Sequence, residues 1–197
     1  MANYTAIAAS TAAVTNRFVA SANMANGAYT LAQTTPAWQG GAFVTCTHAS
    51  VTGTDTLGTV ALVGVGLDGQ VQSETLTPVA DSTATSTKVY RTITSLTQSG
   101  WIINVGNDTI QFGVAAGAIL VSGAGFLYAV VVNATAAAAV TISDSKRTIA
   151  TLKVSIAEGH YIYGPGLEFT GFLKVATTST NDITVLHSGT LPSSYAV

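Results

Sequence analysis

The chain has 197 residues, 48% of them hydrophobic and only 8% charged, with a formal net charge of −2. An average domain carries about 25% charged residues, so electrostatic repulsion does little here to hold copies apart. The seven Lys and Arg stand almost entirely singly, which leaves no basic stripe for phosphates and argues against a nucleic-acid partner. The lone cysteine, Cys46, excludes an internal disulfide and offers no metal-ligand pairing, so neither cofactor nor metal is expected.

Residues 1–36 are rich in Ala, Ser, Thr and Asn, and Arg17 is their only charge. Apolar points at Ile7, Val14, Phe18 and Val19 are too few for a core. The segment is expected to be an extended N-terminal arm that a partner surface orders. One amphipathic helix over 6–20 is the alternative, weakened by its Thr and Ser content. The opening MANYTAIAASTAAV has no basic stretch ahead of an apolar one, so it does not resemble a secretory signal.

From Ala37 onward the pattern is β throughout, and the chain as a whole has about 30 threonines, whose branched Cβ suits a pleated surface. Strands are predicted at 42–48, 59–67, 70–79, 88–96 and 109–114, then at 119–121, 126–133, 139–143, 148–156, 160–163, 171–176 and 182–187. Turn clusters separate them, among them Ala80-Asp81-Ser82 and Gly106-Asn107-Asp108. Thr59–Leu67 is apolar on both faces, with Val60, Leu62, Gly64 and Gly66 on one and Ala61, Val63, Val65 and Leu67 on the other. A half-buried strand alternates apolar with polar, so the second face needs a cover. Asp68-Gly69 then predicts a two-residue type I′ hairpin, in which both turn residues take φ > 0.

Short strands at this spacing give an all-β fold: two successive small β-sandwich or jelly-roll-like units, 37–116 and 117–197, preceded by the arm. The uncharged run 114–142 is long enough for a bilayer. Ser122–Gly125 and Asn133 divide it, and no Lys or Arg closely flanks it, so buried strands are expected rather than a membrane span.

No active site emerges. Cys46 and His48 share a strand face, but residues two apart on a strand sit beyond hydrogen-bond reach, and no orienting third group is visible. His160 and His187 are isolated, which makes a poor metal site. Around Asp68-Gly69 the remaining ligand positions of a calcium loop are missing. Glu74, Glu158 and Glu168 are not brought together by the sequence as the acid pair that glycoside cleavage needs. Trp38, Trp101, Tyr161, Tyr163 and Phe169 are aromatic candidates for a sugar platform, although strand aromatics are more often core or interface anchors.

The run from His48 to Val114 resembles a recurring type of structural protein from tailed bacteriophages. The resemblance rests on the strand opening Gly53–Gly58, the hairpin Asp68–Val71 with Glu74-Thr75, the Ser/Thr-rich turn Asp81–Thr87, the strand Lys88–Ser95, and Asp108–Ile110. Gly125–Asn133 is similar to the strand that often opens a second β unit in such proteins. What the resemblance implies is a virion component assembled in the bacterial cytoplasm: a head decoration (cement) protein first, a neck or tail component second. Its expected partners are the major capsid protein or other virion proteins and further copies of itself, with a trimer implied by the resemblance alone. It brings no catalytic residues. The candidate contact residues are Val60, Leu62, Val63, Val65, Trp38 and Trp101. A fibre-type module that binds host glycans is the competing expectation.

Overall fold

Alternation with a period of two takes most of this chain into strands, because successive side chains on a strand face opposite sides. The computed structural model describes residues 3–25, 27–50, 55–102 and 108–188. In chain order the strands are β1 (Asn3–Ile7), β2 (Val14–Asn23), β3 (Ala42–Ala49), β4 (Thr59–Val65), β5 (Val71–Leu76), β6 (Thr83–Tyr90), β7 (Thr92–Ser99) and β8 (Thr109–Val114). They continue with β9 (Ala118–Ser122), β10 (Gly125–Val132), β11 (Val140–Ser143), β12 (Thr148–Leu152), β13 (Gly159–Phe169), β14 (Phe172–Thr177) and β15 (Ile183–His187). The fold is all-β, built of several small antiparallel sheets, and the described residues include no helix.

Two compact units share the chain. One comprises residues 1–12, 37–41 and 116–197 and holds the sheets β1-β15-β10-β13 and β12-β11-β14-β9. The other comprises residues 13–36 and 42–115 and holds β2-β8-β3-β6 and β5-β4-β7. The last passage from one unit to the other falls between residues 115 and 116. The N-terminal third is divided differently from the expectation, because residues 1–12 and 37–41 go with the C-terminal unit and 13–36 with the central one.

The described part of residues 1–36 is therefore sheet and core, not an arm. β1 pairs with β15 in continuous register from Asn3 opposite His187 to Ile7 opposite Ile183. β2 pairs with β8, and Phe18, Val19, Met24 and Tyr29 are buried in the central unit. Thr11 is fully buried with its bonding satisfied: its amide donates to the Thr177 carbonyl, and its hydroxyl accepts the Thr177 amide at 2.8 Å. The alternation was hidden because the β2–β8 register shifts twice, between Val14 and Val19 and again between Val19 and Ala22. Gly113 permits this path, since a Cβ there would stand 1.9 Å from the Val14 carbonyl oxygen.

Two further expectations are corrected. The predicted strand 88–96 is two strands, because β6 pairs with β3 while β7 pairs with β4. The chain changes sheets at Arg91, whose amide donates to the Val65 carbonyl at 2.8 Å. The hairpin at Asp68-Gly69 closes through three residues rather than two. Gly66 and Gln70 are joined at 2.9 Å, Gly69 donates back to Gly66, and Gly69 at φ 76 is the only turn residue with positive φ. That is a type I turn followed by a left-handed glycine, and the Asp68 carboxylate fixes it by accepting the Gln70 amide at 3.0 Å.

Candidate interaction surface

The sheet β1-β15-β10-β13 has one face in the core, and on its other face the two outer strands expose large apolar side chains. Ile7, Leu127, Val130, Val132, Ile183 and Val185 point inward and are almost wholly buried. On the opposite face Tyr4 lies across from Leu186, Leu186 from Ala129, and Ala129 from Ile162, giving one apolar row over all four strands. Its two ends, Tyr4 and Ile162, are each 72% exposed. Directly opposed residues on antiparallel strands share a face, so the row is continuous.

A bulge enlarges this patch. Between Leu127 and Ala129 the register of β10 shifts against both neighbours: Tyr128 is the extra residue against β15, while against β13 the residues 163–166 of that strand bulge out opposite it. The Phe126 and Tyr128 rings lie 6.3 Å apart at an interplanar angle of 25°, and Phe126 is 43% exposed. Gly166, at φ 107, fits against the Tyr128 ring and the Phe126 Cβ, where a Cβ of its own would stand 3.1 Å from the ring and 3.0 Å from the Phe126 Cβ. Across the four strands Glu168 is the only Asp, Glu, Lys or Arg. Ala129 is 6% exposed and Leu186 half-buried, so the exposed apolar surface comes from Tyr4 and Ile162 at the ends of the row and from Phe126 beside it. Exposed apolar surface of this kind marks interaction sites when it gathers into a patch.

The sequence-predicted contact residues fall elsewhere. Val60 and Leu62 are fully buried core residues of β4, and Trp38 is 8% exposed with its indole N–H donating to the Gly41 carbonyl. None of these three offers a contact surface. Val63 and Val65 are half-buried on the outer face of β4, and Trp101 is half-buried with its indole nitrogen unpartnered. On that outer face Val63 lies between Ser73 and Ser95, and Ala61 between Thr75 and Thr97. The second face of β4 is thus flanked by hydroxyl side chains, which hydrate it in part.

The proposed sugar platform is not assembled. Phe169 is fully buried, Tyr161 donates its hydroxyl to the Ala157 carbonyl, and Tyr163 is half-buried with its phenol pKa raised by desolvation. No family model, curated protein or solved structure matches this chain.

Cys46 and His48 do not form a reactive pair. Burial pushes the Cys46 thiol up to about 12, so the thiolate that attacks is scarce at neutral pH. Both ring nitrogens of His48 are occupied. The Asp81 amide donates to Nδ1 at 3.1 Å, which places the ring proton on Nε2, 2.8 Å from the Asp108 carboxylate. Asp108 stood in the sequence as a turn residue, and only the pairing of β3 with β8 brings it to His48. A second buried histidine, His187, shares Nε2 with the Thr5 hydroxyl at 3.1 Å, while its Nδ1 has no hydrogen-bond partner. Among the described residues no cluster of three or more His, Cys, Asp or Glu could hold a metal ion, and no helix is long and apolar enough to cross a membrane.

Proposed function

We propose that this chain is a non-enzymatic structural protein of a tailed-bacteriophage particle, a head decoration protein that binds and stabilises the capsid shell. Two β-sandwich-like units form the body, and attachment proceeds through burial of low-charge β surface rather than through an arm. The observation that carries this is the apolar row Tyr4–Leu186–Ala129–Ile162 with Phe126 and Tyr128, on a face where Glu168 is the only charge. The phage-type motifs between His48 and Val114 support the same reading. A specific interface buries about 1,200–2,000 Å² in total, and contacts made only on the assembled shell stabilise it by mass action.

The test is co-sedimentation of the purified chain with tailed-phage particles stripped of it. Wild type should pellet with the particles, and Ile162→Glu or Phe126→Glu, both at exposed positions, should lose binding while keeping the wild-type melting temperature. Equal binding by both variants would overturn this face as the attachment site. A neck or tail position is the second reading within the same particle. A glycan-binding fibre module is favoured by one feature, the Phe126–Tyr128 ring pair. Cell-wall glycan binding that Tyr128→Ala abolishes would select it.

A further inference from the structure

Among the described residues four sheets present eight edges, and an unprotected edge strand recruits another strand. Seven of the eight are blunted. β13 carries a bulge with Gly164-Pro165-Gly166 and, beyond it, Glu168. β12 is bulged and lies between Arg147 and Lys153. β9 is covered by Gly41, which exchanges two hydrogen bonds with Ile119 at 2.9 Å. The irregular β2 contains Arg17 and is met by the Ala32 amide at the Phe18 carbonyl. The amides of Thr87 and Lys88 on β6 are taken by the Glu74 carboxylate, and the Lys88 ammonium caps the Ser73 carbonyl of β5. β7 is covered by residues 27–29, through Gln98 to Gly27 and Tyr29 to Leu96.

β1 is the exception. Its sequence NYTAI holds no charge and no proline, its register with β15 is unbroken, and no described residue bonds its outer edge. We propose that β1 is a self-association edge, which pairs antiparallel with β1 of a second copy about a two-fold axis. The occupant is a second copy because that copy presents the same open, uncharged edge, and isologous pairing closes both at once. The two four-stranded sheets then run into one eight-stranded sheet. The apolar row ending at Tyr4 meets its counterpart at the junction, and a net charge of −2 opposes the approach only weakly.

This pairing requires nothing of a phage particle, so its failure and that of the decoration reading are separable. The experiment is sedimentation velocity of the full chain over a concentration series, with wild type, Ala6→Lys and Ile162→Lys. Ala6 and Ile162 are both exposed, the first on the open edge and the second at the far end of the same face. Wild type should reach twice the chain mass, Ala6→Lys should stay monomeric, and Ile162→Lys should still dimerise. Hydrogen exchange supplies a second readout that needs no variant: amides of residues 3–7 should lose protection as the wild-type protein is diluted. A monomer at every concentration, a trimer, or a dimer abolished by Ile162→Lys but kept by Ala6→Lys would overturn the edge pairing.

Discussion

Replacing Phe18 with alanine distinguishes a core strand from a dispensable arm. Phe18 is 1% exposed, on a β2 strand paired to β8. Full burial of such a ring contributes about 1.5–3 kcal/mol by transfer alone. The cavity left behind adds to this, so Phe→Ala at a buried site costs about 3–5 kcal/mol. On the exposed side of the same strand, Thr15→Ala should change stability by no more than about 0.5 kcal/mol. Urea unfolding followed by tryptophan fluorescence measures both. With a slope of about 1–3 kcal/mol/M, Phe18→Ala should lower the midpoint of the transition that contains the central unit by more than about 1 M. A shift for Phe18→Ala as small as that for Thr15→Ala would refute the assignment of residues 13–36 to that unit.

Gly113→Ala places a methyl 1.9 Å from the Val14 carbonyl and should cost about 1–3 kcal/mol as β2 is pushed aside. Gly27→Ala, with no atom within 4 Å of the new Cβ, should change stability by less than about 1 kcal/mol in the same urea titration. His187 carries a pKa lowered from 6.5, chiefly by burial and partly offset by the Ser188 backbone. Its neutral form is the one the fold holds, so its contribution is present above pH 6.5 and lost as pH falls through the lower folded value. The unfolding midpoint should therefore fall between pH 7.5 and pH 5 (about two and a half units, spanning the usual histidine range), and less so in His187→Leu; equal falls in both proteins would contradict this. The Asp144 carboxylate, held low first by the Lys146 amide and also by those of Arg147 and Thr170, titrates below that window. Finally, the buried Cys46 thiol should resist a disulfide reagent at pH 8 until urea unfolds the chain, and fast labelling of the native protein would contradict its burial.

Much of the strand framework was legible because threonine-rich alternation is a local signal. β8 falls on its predicted residues 109–114, and β3 and β4 differ only at their C-terminal ends. What escaped was set by pairing rather than by composition. The period of β2 is broken by its register shifts, and its small Ala, Ser and Thr residues look like those of a linker. β6 and β7 both have strand composition, so the change of sheet at Arg91 leaves no trace in the chain. The Asp68-Gly69 hairpin was visible, but whether two or three residues close it depends on where Gly66 pairs. The apolar face was the least legible feature, since its row takes Tyr4, Ala129, Ile162 and Leu186 from four separate segments. Only the Phe126-x-Tyr128 alternation in β10 pointed to it locally.

The most direct test of the virion assignment is quantitative mass spectrometry of intact tailed-phage particles purified from a lysate that produces this chain. Copy number comparable to that of the main shell protein is the predicted result for a decoration protein. Absence of the chain from intact particles would contradict the assignment.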